Sequence, residues 1–292
     1  MIIVRIMGGL GNQMFQYAFG RRLADGLGVP LRLDITPFRV RDKRRYELCD
    51  LRIEGAFASD REIARARLGR FARVRGPAGR VFPSLAPGPG RLVRERGFPF
   101  DPSMLGLRDG AYLEGYWQSE RYFDTVADRL RADFVPRTPL RGRAAEMAEG
   151  MRHGDSVSLH VRRGDYVSEP SVSAVHLVCD EAYYVRCLEY LARRLVAPRF
   201  YVFSDEPAWA RDNLRIPFPT TVVADCYDTT NIQDMWLMTH CRHHVIANSS
   251  FSWWGAWLDS RPSKVVLMPR RWFRDREPEY SADIRPKGWV AL

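Results

Sequence analysis

With 292 residues, 46% of them hydrophobic, the chain is long enough for two domains of ordinary size, each with its own core. The formal charge of +10 comes almost entirely from arginine, since lysine occurs only at 43, 264 and 287. It is spread along the chain without a basic tail, which favours phosphate-bearing substrates or an anionic membrane surface over dedicated nucleic-acid binding. Five scattered cysteines (Cys49, Cys179, Cys187, Cys226, Cys241) form no C-x-x-C pair, which argues against a disulfide framework or a zinc site and fits a reducing compartment.

The chain opens directly on a strand, Ile2 to Ile6, with no signal-peptide pattern. No apolar run reaches the ~18 residues a membrane helix needs. The expected location is therefore the cytoplasm, with peripheral contact at the inner face of the membrane. A tight loop, Gly8-Gly9-Leu10-Gly11-Asn12, leads into a helix from about 13 to 27, marked by Phe15, Ala18, Phe19, Leu23 and Leu27 at helical spacing. Gly28 ends that helix, and Leu31 to Asp34 is a second strand, completing a β-loop-α-β unit.

Gly9-x-Gly11 and Asp34 invite a dinucleotide reading, but Met14 stands where the third glycine belongs. Asn12 and Gln13 instead put amide donors at a helix N-terminus, which attracts anions or sugar oxygens. The plainer alternative makes Asn12 an ordinary N-cap. Further on, residues 76–90 are rich in Gly and Pro and read as a surface loop. Tyr112 to Gln118 reads as extended and aromatic, Tyr122 to Phe134 as an amphipathic helix, and Pro136 to Arg143 as a linker. The expected domains are 1–150 and 151–292.

After the linker the β/α alternation resumes. Strands are expected at 156–161, 200–204, 221–224, 243–247 and 264–268, with helices at 180–195, 231–241 and 251–259. The simplest architecture is α/β, two Rossmann-like doubly wound halves facing a cleft.

The richest stretch is His160-Val161-Arg162-Arg163-Gly164-Asp165, at the end of the first strand of the second half. Strand ends of an open α/β sheet border the ligand crevice, and guanidinium forks bind phosphate oxygens bidentately. Asp205 and Glu206 follow the next apolar strand. There a carboxylate can accept from a purine's amine and ring N–H, although Glu206-Pro207 can equally be an ordinary helix start. Asn248-Ser249-Ser250-Phe251-Ser252 opens an apolar helix, and its hydroxyls and free N–H groups form an anion cradle. Trp253, Trp254 and Trp257 are expected to be packing, and His243 and His244 structural. There is no Asp-x-Asp for a nucleotide-bound metal and no P-loop.

Taken together, these segments resemble the bacterial α-1,2-fucosyltransferases of glycosyltransferase family 11. The resemblance rests on Gly8 to Tyr17, Gly115 to Phe123, the His160 to Tyr166 run, Phe203 to Glu206 and Asn248 to Trp257, and spans nearly the whole chain. It implies a GT-B-like, inverting, metal-independent enzyme with no cofactor. Such an enzyme would move L-fucose from GDP-β-L-fucose to the 2-hydroxyl of a galactose in a surface glycan, such as a lipid-linked O-antigen precursor. By similarity to related fucosyltransferases, Arg162 would bind the β-phosphate, with Arg163 the weaker arginine. His160 and Asp205 would recognise guanine, and Ser249, Ser250, Phe251 and Ser252 would cradle the diphosphate. Asn12 would sit where the acceptor meets the sugar, with Gln13, Trp117, Gln118 and Glu120 on the acceptor side. Asp165 is the first choice for a general base, though it can instead hold Arg162 in place; Asp34, Glu47 and Glu120 follow. Competing readings are a related GDP-sugar transferase of different donor or linkage, a non-catalytic nucleotide-sugar-binding protein and a nicotinamide oxidoreductase.

Overall fold

A computed structural model describes residues 1–39, 44–68, 73–75, 81–83, 91–175, 179–226 and 230–292. The chain divides into two compact units, Met1–Phe134 and Val135–Leu292, so the boundary falls after Phe134 rather than after residue 150. The shift has a packing cause. A helix over Arg143–Arg152 buries Ala144, Ala148 and Met151, and the last two share a core cluster with Phe203, Val223 and Leu237 of the second unit. The excess positive charge lies mostly on the first unit, not evenly along the chain.

The first unit contains β1 (Ile2–Arg5), β2 (Leu31–Asp34), β3 (Ala56–Phe57), β4 (Arg73–Arg75), β5 (Val81–Pro83), β6 (Arg91–Arg94) and β7 (Ala111–Glu114). Five of these form an all-parallel sheet in the order β3-β2-β1-β7-β6, while β4 and β5 pair antiparallel. β5 thus replaces part of the loop expected over 76–90; residues 76–80 and 84–90 lie outside the described residues.

The helices of this unit are α1 (Leu10–Leu27), α2 (Asp60–Leu68) and α3 (Ala127–Asp133). α1 is buried on nearly all sides, from Leu10 and Met14 through Phe19 to Ala24, as expected of a helix enclosed by a core. Its N-cap is Gly9, and Asn12 is already inside the first turn, its backbone N–H donating to Gly9 O at 3.0 Å. The N-cap reading of Asn12 is therefore wrong. The single helix expected over Tyr122–Phe134 is instead two 3-10 turns, at Glu120–Tyr122 and Asp124–Val126, followed by α3. Tyr122 and Phe123 are both buried. Adjacent residues of one helix point apart, and the extended φ of −148° at Phe123 lets both rings turn inward.

The second unit adds α4 (Arg143–Arg152), β8 (Asp155–Val161), α5 (Gly164–Ser168), α6 (Pro170–Ser173), α7 (Glu181–Ala192), β9 (Pro198–Ser204), α8 (Pro207–Asn213), β10 (Thr220–Val222), α9 (Asn231–Met238), β11 (His243–Val245), α10 (Ser250–Leu258), β12 (Val266–Met268) and β13 (Val290–Ala291). Its sheet is all-parallel in the order β10-β9-β8-β11-β12-β13. Val157, Leu159, Val202, Val245 and Leu267 pack with Tyr183, Cys187 and Leu191 of α7 to form its main core. α10 carries the expected packed indoles, Trp253, Trp254 and Trp257; Trp289, from beyond the helix, adds its ring to Trp253, whose Nε1 donates to Ile284 O.

Each sheet has a point where the winding direction reverses, between β1 and β7 in the first unit and between β8 and β11 in the second. In doubly wound sheets the carboxyl ends at such a switch point form the ligand crevice. Among the described residues, no helix is long and apolar enough to cross a membrane.

Candidate active site

β8 and β9 carry the second unit's charged residues at their carboxyl ends, and β11 leads into the Asn248–Ser252 turn across the switch point. Arg162 leaves the end of β8 and is braced by two carboxylates. Nη2 lies 2.6 Å from Asp165 Oδ1, and Nη1 lies 3.0 Å from Asp205 Oδ2. The Arg162 side chain keeps 22% of its surface exposed, so it is anchored yet open to a ligand. A guanidinium held in this way is preorganised for an incoming dianion. Asp205 also accepts the backbone N–H of Arg163 at 3.0 Å. Gly164 makes this close approach possible, because a Cβ there would lie 2.6 Å from Asp205 Oδ2.

Arg163 points elsewhere. Its Nε pairs with Glu206 Oε2 at 3.2 Å, and its guanidinium lies 3.9 Å above the Trp209 ring, a cation–π contact. The two arginines of the run are thus separated in role by their partners.

His160 is buried on β8, with Nδ1 2.8 Å from Ser252 Oγ and its ring 5.5 Å from that of Phe251. Burial and the nearby Arg162 push its pKa down to about 3, so the imidazole is neutral at physiological pH. It can accept or donate one hydrogen bond without adding charge. Its contact with Ser252 ties β8 to the start of α10. There Ser249 is the N-cap, its side chain accepting from Phe251 N. Ser250 and Phe251 are partly exposed, and Ser249 and Ser252 are buried. Tyr166 O–H donates to Asn248 O, fixing the same loop from the other side. The structure therefore brings His160, Arg162, Asp165, Asp205 and the Ser249–Ser252 turn together at one sheet edge. His244 is fully buried between Ser158 and Asp259, as a structural histidine should be.

In the first unit the loops after β1 and β7 meet, with Gln118 Nε2 donating to Asn12 Oδ1 at 2.7 Å. Two expected acceptor residues lie elsewhere. Gln13 is buried, its amide donating to Gly8 O and Arg45 O and accepting from Glu47 N, so it holds loops together. Trp117 is fully buried, with backbone φ of +50° and its ring against Phe19. Asp34 and Glu47 are buried too, and Asp34 accepts from Tyr112 O–H and Thr36 N. An incoming hydroxyl cannot reach either carboxylate, so they are withdrawn as candidate bases. Glu120 is half-buried at the start of a 3-10 turn. Among the described residues, no group of three or more His, Cys, Asp or Glu is placed to hold a metal ion.

The family model described as glycosyl transferase family 11 matches residues 96–292. The chain is 34% identical to an alpha-1,2-colitosyltransferase of Escherichia coli, over all of this chain and 98% of that protein. The chain belongs to glycosyltransferase family 11. It is 30% identical to the O-antigen biosynthesis glycosyltransferase WbnK of Escherichia coli, over 98% of this chain and 99% of the relative. A galactoside alpha-(1,2)-fucosyltransferase 1 of Bos taurus is 29% identical over half of this chain and 43% of that protein. A structure of an Arabidopsis thaliana FUT1 mutant in complex with GDP superposes with a TM-score of 0.54 at 13% identity, covering 98% of this chain and 74% of the other. The two parallel-sheet units are the Rossmann-like pair of a GT-B glycosyltransferase.

Several residues that shape these sites carry little signal in this glycosyltransferase's sequence. Tyr166 and Glu206 lie inside the motifs already noted, but nothing in the pattern reveals their partners. Trp209 is a lone aromatic in a polar helix. Glu95 sits in an Arg-Glu-Arg run that reads as a solvated strand end. Its carboxylate instead accepts the backbone N–H groups of Tyr116 and Trp117 at 2.6 and 2.8 Å.

Proposed function

We propose that this family 11 glycosyltransferase moves L-fucose from GDP-β-L-fucose to the 2-hydroxyl of a galactose in a surface glycan, inverting the anomeric centre. The observation that carries the reading is Arg162, braced by Asp165 and Asp205 beside the Ser249-capped start of α10. In one displacement the acceptor hydroxyl oxygen bonds to C1 of the sugar, the C1–O bond to the β-phosphate breaks with its electron pair leaving on GDP, and the hydroxyl proton passes to solvent. Arg162 and the N–H groups at the start of α10 receive that charge without a metal. His160 and Asp205 are assigned to the guanine, the latter while anchoring Arg162. Asp165 is assigned to holding Arg162, because a carboxylate paired with a guanidinium is a poor base. An oxocarbenium-like transition state depends more on neutralising the leaving group than on a strong base.

The acceptor assigned here is an oligosaccharide or lipid-linked glycan met in the cytoplasm, with peripheral membrane contact. A second reading, colitosyl transfer, is favoured by the relative that aligns over the full chain. Colitose is fucose without its 3-hydroxyl, so the two readings differ at one oxygen. Titrating GDP-fucose and GDP-colitose against galactoside acceptors, with the product linkage read by NMR, tests both. Transfer of fucose to O2 is the expected result. A strong preference for GDP-colitose would select the second reading, and GDP binding without transfer from either donor would overturn both.

A further inference from the structure

At the carboxyl edge of the first sheet, the loop after β7 holds an exposed aromatic ring, Tyr116, in a tightly fixed backbone. Tyr116 keeps 38% of its surface exposed, whereas its neighbours Gly115 and Trp117 are buried. The loop is fixed from four directions. Glu95, at the end of β6, accepts both the Tyr116 and Trp117 backbone N–H groups. Gly115 leaves the space Glu95 occupies, since a Cβ there would meet Glu95 Cβ at 2.4 Å. Trp117 is buried at a backbone φ of +50°, a conformation strained for a residue other than glycine and held by the surrounding packing. Gln118 then bonds Asn12 across the switch point.

We infer that this edge is a pyranoside-binding subsite, with Tyr116 as the stacking platform and Glu95 as the residue that positions it. Sugars are recognised by aromatic rings against their C–H faces and by amides at their hydroxyls, and the loop that carries Tyr116 carries, two residues on, Gln118 bonded to Asn12. The inference rests on the reading of the chain as a galactoside-modifying transferase, and identifies the part of the first unit that takes the acceptor. Burial raises the pKa of Glu95 above that of a free glutamate. Protonation of Glu95 on acidification puts a proton where one N–H was accepted, and so loosens the loop.

The experiment measures acceptor KM, GDP affinity and thermal stability for Tyr116→Ala, Tyr116→Phe and Glu95→Gln, with lactose as acceptor. Tyr116→Ala should raise acceptor KM at least tenfold with GDP affinity unchanged, while Tyr116→Phe stays near wild type. Glu95→Gln, which has one acceptor oxygen, should raise acceptor KM several-fold and flatten its rise on acidification. Saturation-transfer NMR with lactose decides the matter even if no donor is turned over. Signal in the wild type that is lost in Tyr116→Ala supports the subsite. Absent signal in the wild type, or equal signal in folded Tyr116→Ala, overturns it. GDP binding without transfer from any donor would count against the transferase reading, whereas normal transfer by Tyr116→Ala would sink only the subsite.

Discussion

The two units use the same device at their sheet edges and finish it differently. In each, a carboxylate at one strand end accepts a backbone N–H from the loop after the neighbouring strand, and a glycine in that loop makes room for it. Glu95 does this for the loop after β7, and Asp205 for the loop after β8. In the second unit the carboxylate also pairs with Arg162. In the first, among the described residues, it accepts from backbone N–H groups only, and the nearby amide pair, Asn12 and Gln118, carries no charge. At the first edge the strand-end charges Arg5, Arg94 and Glu114 pair with one another, which suits a sugar that carries no charge, whereas an arginine left open to a ligand suits a nucleoside diphosphate whose charge grows as it leaves.

The largest effect is expected at Arg162. Arg162→Ala should lower transfer by roughly 10²–10³, the usual cost of one preorganised charge donor. Arg162→Lys should not restore it fully, because an ammonium cannot engage two oxygens in a plane. Steady-state rates within a few-fold of wild type for either variant would remove Arg162 from the reaction.

Acid separates the units by stability. All six histidines lie beyond residue 134. Burial holds His160 at about 3 and His244 at about 4, both below the ordinary 6.5. Below pH 6.5 the unfolded chain binds protons that these folded imidazoles refuse, so stability falls with pH until each folded pKa is reached. By pH 5.5 the two together should cost about 3 kcal/mol, at about 1.4 kcal/mol per unit for each group. Denaturant midpoints followed for each unit across pH 7.5 to 5.0 should show the second unit weakening first. Equal loss in both units would contradict the expectation.

At the first unit's edge, Asn12→Ala should slow turnover by a smaller factor while leaving GDP affinity unchanged, the pattern of a contact made as transfer proceeds. Since Gly9 and not Asn12 caps α1, the melting temperature should fall less than the ~1 kcal/mol loss of an N-cap would produce. A lower melting temperature with normal turnover per folded molecule would make Asn12 merely structural. The smallest effect is expected from chelation. Excess EDTA should leave GDP release unchanged, and a loss that Mn²⁺ or Mg²⁺ restores would overturn metal-free charge neutralisation.

The second unit's edge was far more legible in the sequence than the first. His160, Arg162, Asp165 and Asp205 are polar residues placed directly at the ends of apolar strands, so their direction followed from the strand pattern. The Gly115–Gln118 run offers two adjacent aromatics, and strand alternation cannot say which faces out once the backbone turns left-handed at Trp117. Gln13 and Glu47 look available in a polar loop, yet each is buried by contacts across dozens of residues. The helix Arg143–Arg152 follows a polar stretch that resembles a linker, and only its packing with Phe203 and Leu237 assigns it to the second unit.

The indoles are divided as unequally as the histidines. Of eight tryptophans, Trp117 alone lies in the first unit, and it is fully buried against Phe19. Intrinsic fluorescence of the native chain is therefore dominated by emission from the second unit, and an early opening of the first would barely alter the total. A difference spectrum between the wild type and Trp117→Phe isolates the one emitter that sits under the Tyr116 loop. It supplies an optical probe of that edge without an added label.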